Sequence, residues 1–397
     1  DNGSKLRIYH LLRELSRVHT IDLISFTAEP LDNPQTTPLN RFCRNIWTTV
    51  YAPIALSGLA GVTSLFASRP RSMIAAYSAE LDLQAQTAAN NEHYDLVIAS
   101  QLDMAPYGSK LNAPVRLFEE AELTTIWEQY ATQRNPLKRA RGLLTWLKLK
   151  YYIRQLTQSY QACTVVSEEE RARLRQVAPR MKSITVIPNG VDTEFMSGDF
   201  GEPEPDTLIY NGALTYQANF DAVAYFLAEI FPRIQSGAPN ARLLITGKTD
   251  GVRLDRLPQN RGVEFTGYLQ DVRPRVATSW VSVVPLRIGG GTRLKILESL
   301  ALGTPVVATT KGAEGLHLRA GEDYLRADSP AAFADATLRI LKSAQMRSML
   351  SAAGQKKVRD LYDWSTVGRQ LNTLIGQIVV EEHPSSSPAV IAEKSTK

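Results

Sequence analysis

Between residues 280 and 310 an apolar strand pattern, Trp280 to Pro285, runs through Arg287 and Ile288 into three consecutive glycines, Gly289, Gly290 and Gly291. A helical pattern from Leu294 to Ala301 follows, then Gly303, Pro305 and a second apolar run, Val306 to Thr309. Strand, helix and buried strand in that order place the glycine loop at the carboxyl edge of a parallel sheet. Ligands of open α/β sheets bind at that edge. Glycines lack the Cβ atoms that keep a ligand away from the backbone. Thr292 can cap the helix, and unpaired amides at a helix start together with the positive end of its dipole attract phosphate oxygens. Arg293 and Lys295 add positive charge, and Glu298, about two turns past the glycines, can accept hydrogen bonds from sugar hydroxyls such as those of a ribose. The alternative is a glycine-rich turn before an ordinary amphipathic helix, with Leu294, Leu297 and Ala301 packed inward and Arg293, Lys295 and Glu298 solvated.

The rest of the chain repeats the strand and helix alternation. At 397 residues it suits two domains of ordinary size. In the first half the pattern predicts strands over 21–26, 45–51, 95–99, 115–118, 162–166 and 183–187, a helix near 75–89, a long helical region over 123–160 and a short helix over 168–177. Pro188, Asn189, Gly190, Val191 and Asp192 break this with turn chemistry, which puts a domain boundary there. Strands are then expected over 207–211, 242–246, 263–266, 280–285, 306–309 and 324–325. Helices are expected over 220–234, 272–277, 331–342, 346–361 and 366–378. Two similar α/β sheets in tandem are the predicted architecture. The chain opens directly on the helical pattern Leu6, Tyr9, Leu12, Leu15 and Val18, so a strand ahead of residue 1 is expected. The polar stretch from about Glu381 reads as a disordered tail.

Several function classes recede on composition. Cys43 and Cys163 form no ligand-spaced cluster and the five histidines are scattered, so neither a disulfide framework nor a metal site is expected, and a reducing compartment fits. No apolar run approaches the ~20 residues that span a bilayer. A net charge of only +5 without a recognition module argues against nucleic acid. The segment 134–154 stands apart: Arg134, Lys138, Arg139, Arg141, Lys148, Lys150 and Arg154 alternate with Leu143, Leu144, Trp146, Leu147, Tyr151 and Tyr152, and it holds no acidic residue. Such a segment can lie on an anionic membrane surface, or it can be a long helix with a solvated basic face and aromatic residues in the core.

These motifs together resemble the GT-B glycosyltransferases, and more narrowly the retaining family 4 enzymes. The resemblance runs through Asn2-Gly3-Ser4-Lys5, Val186 to Asp192, Tyr210-Asn211-Gly212, Phe265-Thr266-Gly267 and the glycine motif to Thr309. It implies an α/β fold of two facing Rossmann-like domains: an acceptor-binding domain over 1–189, a nucleotide-sugar-binding domain over 190–364, a C-terminal helix over 365–380 returning toward the first domain, and a tail over 381–397. It implies a nucleotide diphosphate sugar as donor substrate, no cofactor, and a glycan or lipid-linked acceptor of cell-surface polysaccharide or glycolipid synthesis. Glu298 takes the ribose, as the second acid of the family's Glu, seven residues, Glu pattern. The first acid falls on Gly290, and the usual Arg after the glycine of the first C-domain strand is Ala213. Arg293 and Lys295 are then left to stabilise the leaving diphosphate. Gly3, Gly212, Gly267, Gly289, Gly290, Gly291 and Thr292 complete the donor site, Gly3 being open also to reading as a plain turn. Glu119 and Glu120 can orient or deprotonate an acceptor hydroxyl, or simply begin an acidic helix start. No nucleophile is expected, because the acceptor of such enzymes is thought to attack from the face the leaving group departs. The Asp-any-Asp motif that binds metal in the other major glycosyltransferase fold is absent, so metal-independent chemistry is expected. The implied place is the cytoplasm, peripheral at the inner face of the plasma membrane through segment 134–154. Two rival readings are a nucleotide-sugar 2-epimerase of the same fold and a non-catalytic nucleotide-sugar-binding partner.

Overall fold

The computed structural model describes residues 3–53, 67, 69–131 and 135–382. Arg134 and the expected tail from residue 383 lie outside them. The chain divides into two compact units, Asp1–Ile187 with Gly368–Lys397, and Pro188–Val367.

The first unit carries β1 (Asp22–Thr27), β2 (Asn45–Val50), β3 (Leu96–Ser100), β4 (Val115–Glu119), β5 (Ala162–Val165) and β6 (Ser183–Val186). One sheet was expected, whereas the described strands form two: a parallel β1–β2 pair and a parallel sheet in the order β3-β4-β5-β6. Val115, Leu117, Phe118, Ala162, Cys163 and Val165 are all buried, as strands covered on both faces require. The helical region over 123–160 is broken rather than continuous. Helix Thr124–Ala131 is followed by helix Pro136–Leu156, whose start is fixed by Asn135: its side chain accepts from the amides of Leu137 and Lys138 at 3.1 Å each. Proline in the first turn gives up no intrahelical bond. The helix expected over 75–89 starts later, at Ala79–Asn91, because the Ser78 hydroxyl caps it through Leu81. A helix that the hydrophobic pattern did not announce, Gln101–Gly108, leaves β3 directly.

The second unit carries β7 (Glu204–Asn211), β8 (Arg242–Thr246), β9 (Val263–Gly267), β10 (Ser279–Val284), β11 (Val306–Ala308) and β12 (Leu325–Arg326) in one sheet, ordered β12-β11-β10-β7-β8-β9 and parallel throughout. Successive strands step outward from β7 through β8 to β9, and then from β10 through β11 to β12 on the other side. The direction of winding therefore reverses between β7 and β10. Helix 217–237 is longer than expected and contains a π-turn at Phe226–Ile230. Pro232 has no amide to give the carbonyl of Ala228, which removes one α-type bond there. Leu227, Ile230, Phe231 and Ile234 of this helix are fully buried against the sheet.

The chain ends of the second unit are tied together. Val191 donates to the Tyr362 carbonyl at 2.8 Å and accepts from Trp364 at 3.3 Å. A Cβ on Gly190 would lie 2.7 Å from the Tyr362 oxygen, so the crossing admits only glycine without a shift. The last helix is Trp364–Glu382 rather than 366–378, and Glu381 and Glu382, expected in the tail, form its end.

Candidate functional site

The glycine loop leaves β10 and Asn211-Gly212-Ala213 leaves β7, so both lie at the carboxyl ends of the two strands where the winding reverses. That crevice is where open α/β sheets hold ligands. Helix Leu294–Ala301 packs onto β10 through a buried hydroxyl pair, Ser299 Oγ to Ser282 Oγ at 3.0 Å, while Ile296, Leu297 and Leu300 fill the core. It stops at Leu302, after which Gly303 takes a left-handed φ of +78°.

Thr292 does not cap this helix. Arg293 holds the cap position without a side-chain bond, and the Thr292 hydroxyl instead accepts from Asn189 Nδ2 at 2.8 Å. Competition from a buried amide on the domain crossing explains the difference. Arg293 is not mobile charge on the surface either. It is 5% exposed, and its guanidinium donates to the carbonyls of Gly290 (2.8 Å) and Gly289 (2.6 Å), folding the loop around itself. Gly289 and Gly291 adopt φ of +101° and +80°, and a Cβ on Gly289 would meet Ala218 at 2.9 Å. Such backbone is open to glycine at little cost.

Lys295 turns inward. Its ammonium donates to Asn219 Oδ1 at 2.8 Å and Tyr210 Oη at 3.1 Å and sits 4.4 Å from the Tyr210 ring centre. A Cβ at Gly212 would stand 2.6 Å from this nitrogen. The missing side chain of Gly212 thus makes room for the cation. Burial, with the neighbouring Arg293 charge adding to it, pushes the Lys295 ammonium down to about 7. Glu298, one turn further, accepts from Asn211 Nδ2 at 3.4 Å, and Asn211 is itself oriented by Thr246 Oγ1 at 3.0 Å. Burial raises the Glu298 carboxyl, with Lys295 opposing the shift. Gly267, by contrast, ends β9 at the sheet edge, two strands from β7, beside Thr246 and with its carbonyl accepting from the Gly247 amide at 2.9 Å.

The structure therefore brings together Gly212, Gly289, Gly290, Gly291, Arg293, Lys295 and Glu298. It adds Tyr210, Asn211 and Asn219, which sequence reasoning passed over. Asn211 stood in the recognised Tyr-Asn-Gly motif. Asn219 carried no local signal, since it is a single buried amide on a helix start.

In the first unit, Gly3 begins helix Gly3–Leu15 and is exposed. Glu119 and Glu120 are adjacent but differ in environment. Glu119 Oε1 is gripped by the fully buried Arg7, Nε at 2.7 Å and Nη2 at 2.6 Å, and its Oε2 accepts from Ser100 Oγ at 2.5 Å. Arg7 also donates to the Ile187 carbonyl at 3.0 Å. Glu120 has left-handed backbone, φ +56°, as does Gln101 at φ +68°, and Gln101 Nε2 donates to Glu120 Oε2 at 3.0 Å. Two strained non-glycine residues thus end the neighbouring strands β3 and β4 and hold each other. Burial pushes the Glu120 carboxyl up to about 7, with Glu119 adding and Arg7 opposing.

Two α/β units in tandem, one with a glycine cradle, a buried Arg293 and a half-buried Lys295 at its switch point, define a GT-B fold. The glycosyl transferases group 1 model matches residues 205–343, the glycosyltransferase family 4 model matches residues 2–195, and the chain belongs to this family of glycosyltransferases. A phosphatidyl-myo-inositol mannosyltransferase of Mycobacterium leprae is 29% identical over 219 residues, 52% of this chain and 57% of that protein's length. Among solved structures, a sucrose-phosphate synthase from Thermosynechococcus elongatus superposes with a TM-score of 0.67 at 19% identity, covering 96% of this chain and 94% of the other. HepE of Anabaena, solved with UDP and glucose, gives 0.65 at 14% identity, covering 95% and 96%.

Proposed function

We propose that the protein transfers a sugar with retention from a nucleotide diphosphate sugar to a glycan or lipid-linked acceptor in cell-surface polysaccharide or glycolipid synthesis. The observation that carries this reading is the inward-turned Lys295 ammonium held against Gly212 at the switch point, beside the Arg293-folded glycine loop. Loop amides and Lys295 take the diphosphate, and Glu298 with Asn211 takes the ribose. As the anomeric C–O bond breaks, negative charge grows on the diphosphate, and fixed donors in a dry site lower that barrier. The new bond forms between the acceptor oxygen and the anomeric carbon. Glu119 is committed to Arg7, so the acceptor role falls to Glu120, which orients the hydroxyl and can accept its proton near neutral pH. UDP in HepE makes UDP sugars the first donors to test, the mannosyltransferase relative adds mannose to the sugars, and GDP conjugates supply a second nucleotide class for comparison.

Helix Pro136–Leu156 supports a membrane-linked acceptor. Trp146, Leu149, Tyr152 and Ile153 are buried, while Leu137, Leu143, Leu144, Leu147 and Tyr151 stay exposed among Lys138, Arg139, Arg141, Lys150 and Arg154. Apolar and cationic side chains on one exposed helix suit an anionic lipid surface. Among the described residues no helix is long and apolar enough to cross a membrane.

The test is thermal shift with UDP, GDP and their sugars, with and without chelator, on the wild type and Glu298→Ala, followed by nucleotide release with lipid-linked acceptors. A shift by one nucleotide class, retained under chelator and lost in Glu298→Ala, with release that requires an acceptor and fails in Glu120→Gln, is expected. Release or sugar isomerisation without acceptor would favour the epimerase reading, and binding without any turnover the non-catalytic one.

A further inference from the structure

The glycine loop carries no carboxylate at Gly290, yet the next strand brings one to it. β11 is the hydrogen-bonded neighbour of β10, and the turn after it folds back over the end of β10. Thr309 Oγ1 donates to the Leu286 carbonyl at 2.5 Å and accepts from the Gly312 amide at 2.8 Å. A Cβ on Gly312 would lie 2.5 Å from the Val284 oxygen. Two residues past Gly312, Glu314 Oε2 lies 2.5 Å from Lys311 Nζ and 3.7 Å from Arg293 Nη2. The same guanidinium holds the carbonyls of Gly289 and Gly290. One arginine therefore joins the loop backbone to a carboxylate that sequence places more than twenty residues away.

We propose that Glu314 is a specificity-determining residue that accepts hydrogen bonds from hydroxyls of the donor sugar. This rests on the donor-site reading above. An ionised carboxylate offers two acceptor oxygens, a match for vicinal hydroxyls of a pyranose. At 38% exposure the Glu314 side chain is reachable by a ligand, unlike the enclosed Arg293. Arg293 and Lys311 flank it with two cations against its one carboxylate, so the phosphates of the donor still meet an excess of positive charge. A mere counterion of Arg293 would act on the nucleotide and the nucleotide sugar alike, whereas a sugar ligand acts on the second alone.

The experiment is calorimetric titration of wild type, Glu314→Gln and Glu314→Asp with UDP, UDP-glucose, GDP and GDP-mannose. The quantity read is the ratio of the Kd of each nucleotide diphosphate to that of its sugar conjugate. The ratio is expected to fall about tenfold or more in Glu314→Gln, the scale of a lost charged hydrogen bond, with the free nucleotide changed less than about threefold. Glu314→Asp, which keeps the charge and shortens the reach, should lose the sugar preference and keep nucleotide affinity. An unchanged ratio, or parallel weakening of both ligands, overturns the proposal and leaves the donor site intact. A wild type that binds none of the four overturns both.

Discussion

At the proposed donor site, Lys295 should make donor binding depend on pH. Its ammonium is enclosed by Tyr210, Asn219 and Gly212 and faces Arg293 and Glu298, and it sits near 7 before any ligand arrives. At pH 8 only about one molecule in ten carries the charge. A phosphate charge placed about 4 Å away attracts it by about 4 kcal/mol at the effective dielectric typical of such sites. That is roughly three pKa units, enough to bring the bound-state value back toward that of an ordinary lysine. A group whose pKa rises on binding takes up a proton wherever the free form has lost it. The Kd for UDP-glucose or GDP-mannose should therefore be flat below pH 7 and rise about tenfold per pH unit above it. Titration in buffers of different ionisation enthalpy should show close to one proton taken up at pH 8 and almost none at pH 6. Lys295→Met should bind more weakly at pH 6.5 by about 2 kcal/mol or more, and its Kd should no longer follow pH. A flat profile from pH 6 to 9, or a slope that survives in Lys295→Met, would refute the reasoning.

The buried Arg7–Glu119 pair, at 0% and 1% exposure, predicts that Arg7→Met or Glu119→Gln alone costs about 3–5 kcal/mol in urea unfolding, because the partner charge is stranded. A loss below about 1 kcal/mol would deny the pair that role. Gly247→Ala forces a side chain into φ +115°, with its Cβ 2.6 Å from the backbone of Gly212 and Ala213. It should cost about 1–3 kcal/mol and weaken nucleotide binding, and unchanged titration curves would count against the packing described. Turnover should climb through about pH 7 as Glu120 ionises, and a pH-rate profile that lacks this limb contradicts the acceptor role. Sedimentation with anionic vesicles should carry down the wild type but not a Lys138, Arg139, Arg141→Glu triple variant. Equal sedimentation of both would remove the membrane surface from the account.

The strand, loop, helix and strand over 280–310 was readable because periodicity, three glycines and a helix stop act within short range. Where side chains chose distant partners, spacing was silent. Arg293 and Lys295 lie two positions apart on one helix start, yet one folds the loop around itself and the other points inward to Tyr210 and Asn219. Thr292 had the composition of a cap, yet its hydroxyl accepts from Asn189, more than a hundred residues earlier, and Arg293 takes the cap position. Glu119 and Glu120 looked alike in sequence, and distant partners separate them: Arg7 and Ser100 for the first, Gln101 for the second. Sheet order was equally hidden: local pattern yields strands, whereas the reversal between β7 and β10 that places the site depends on which strands pair.

The most direct measurement is a crystal structure of the protein with the nucleotide sugar that gives the largest thermal shift. The diphosphate is expected on the amides of the 289–291 loop within hydrogen-bond reach of Lys295, and the ribose on Glu298. Nucleotide bound away from this crevice, or a diphosphate that leaves Lys295 untouched, would contradict this placement.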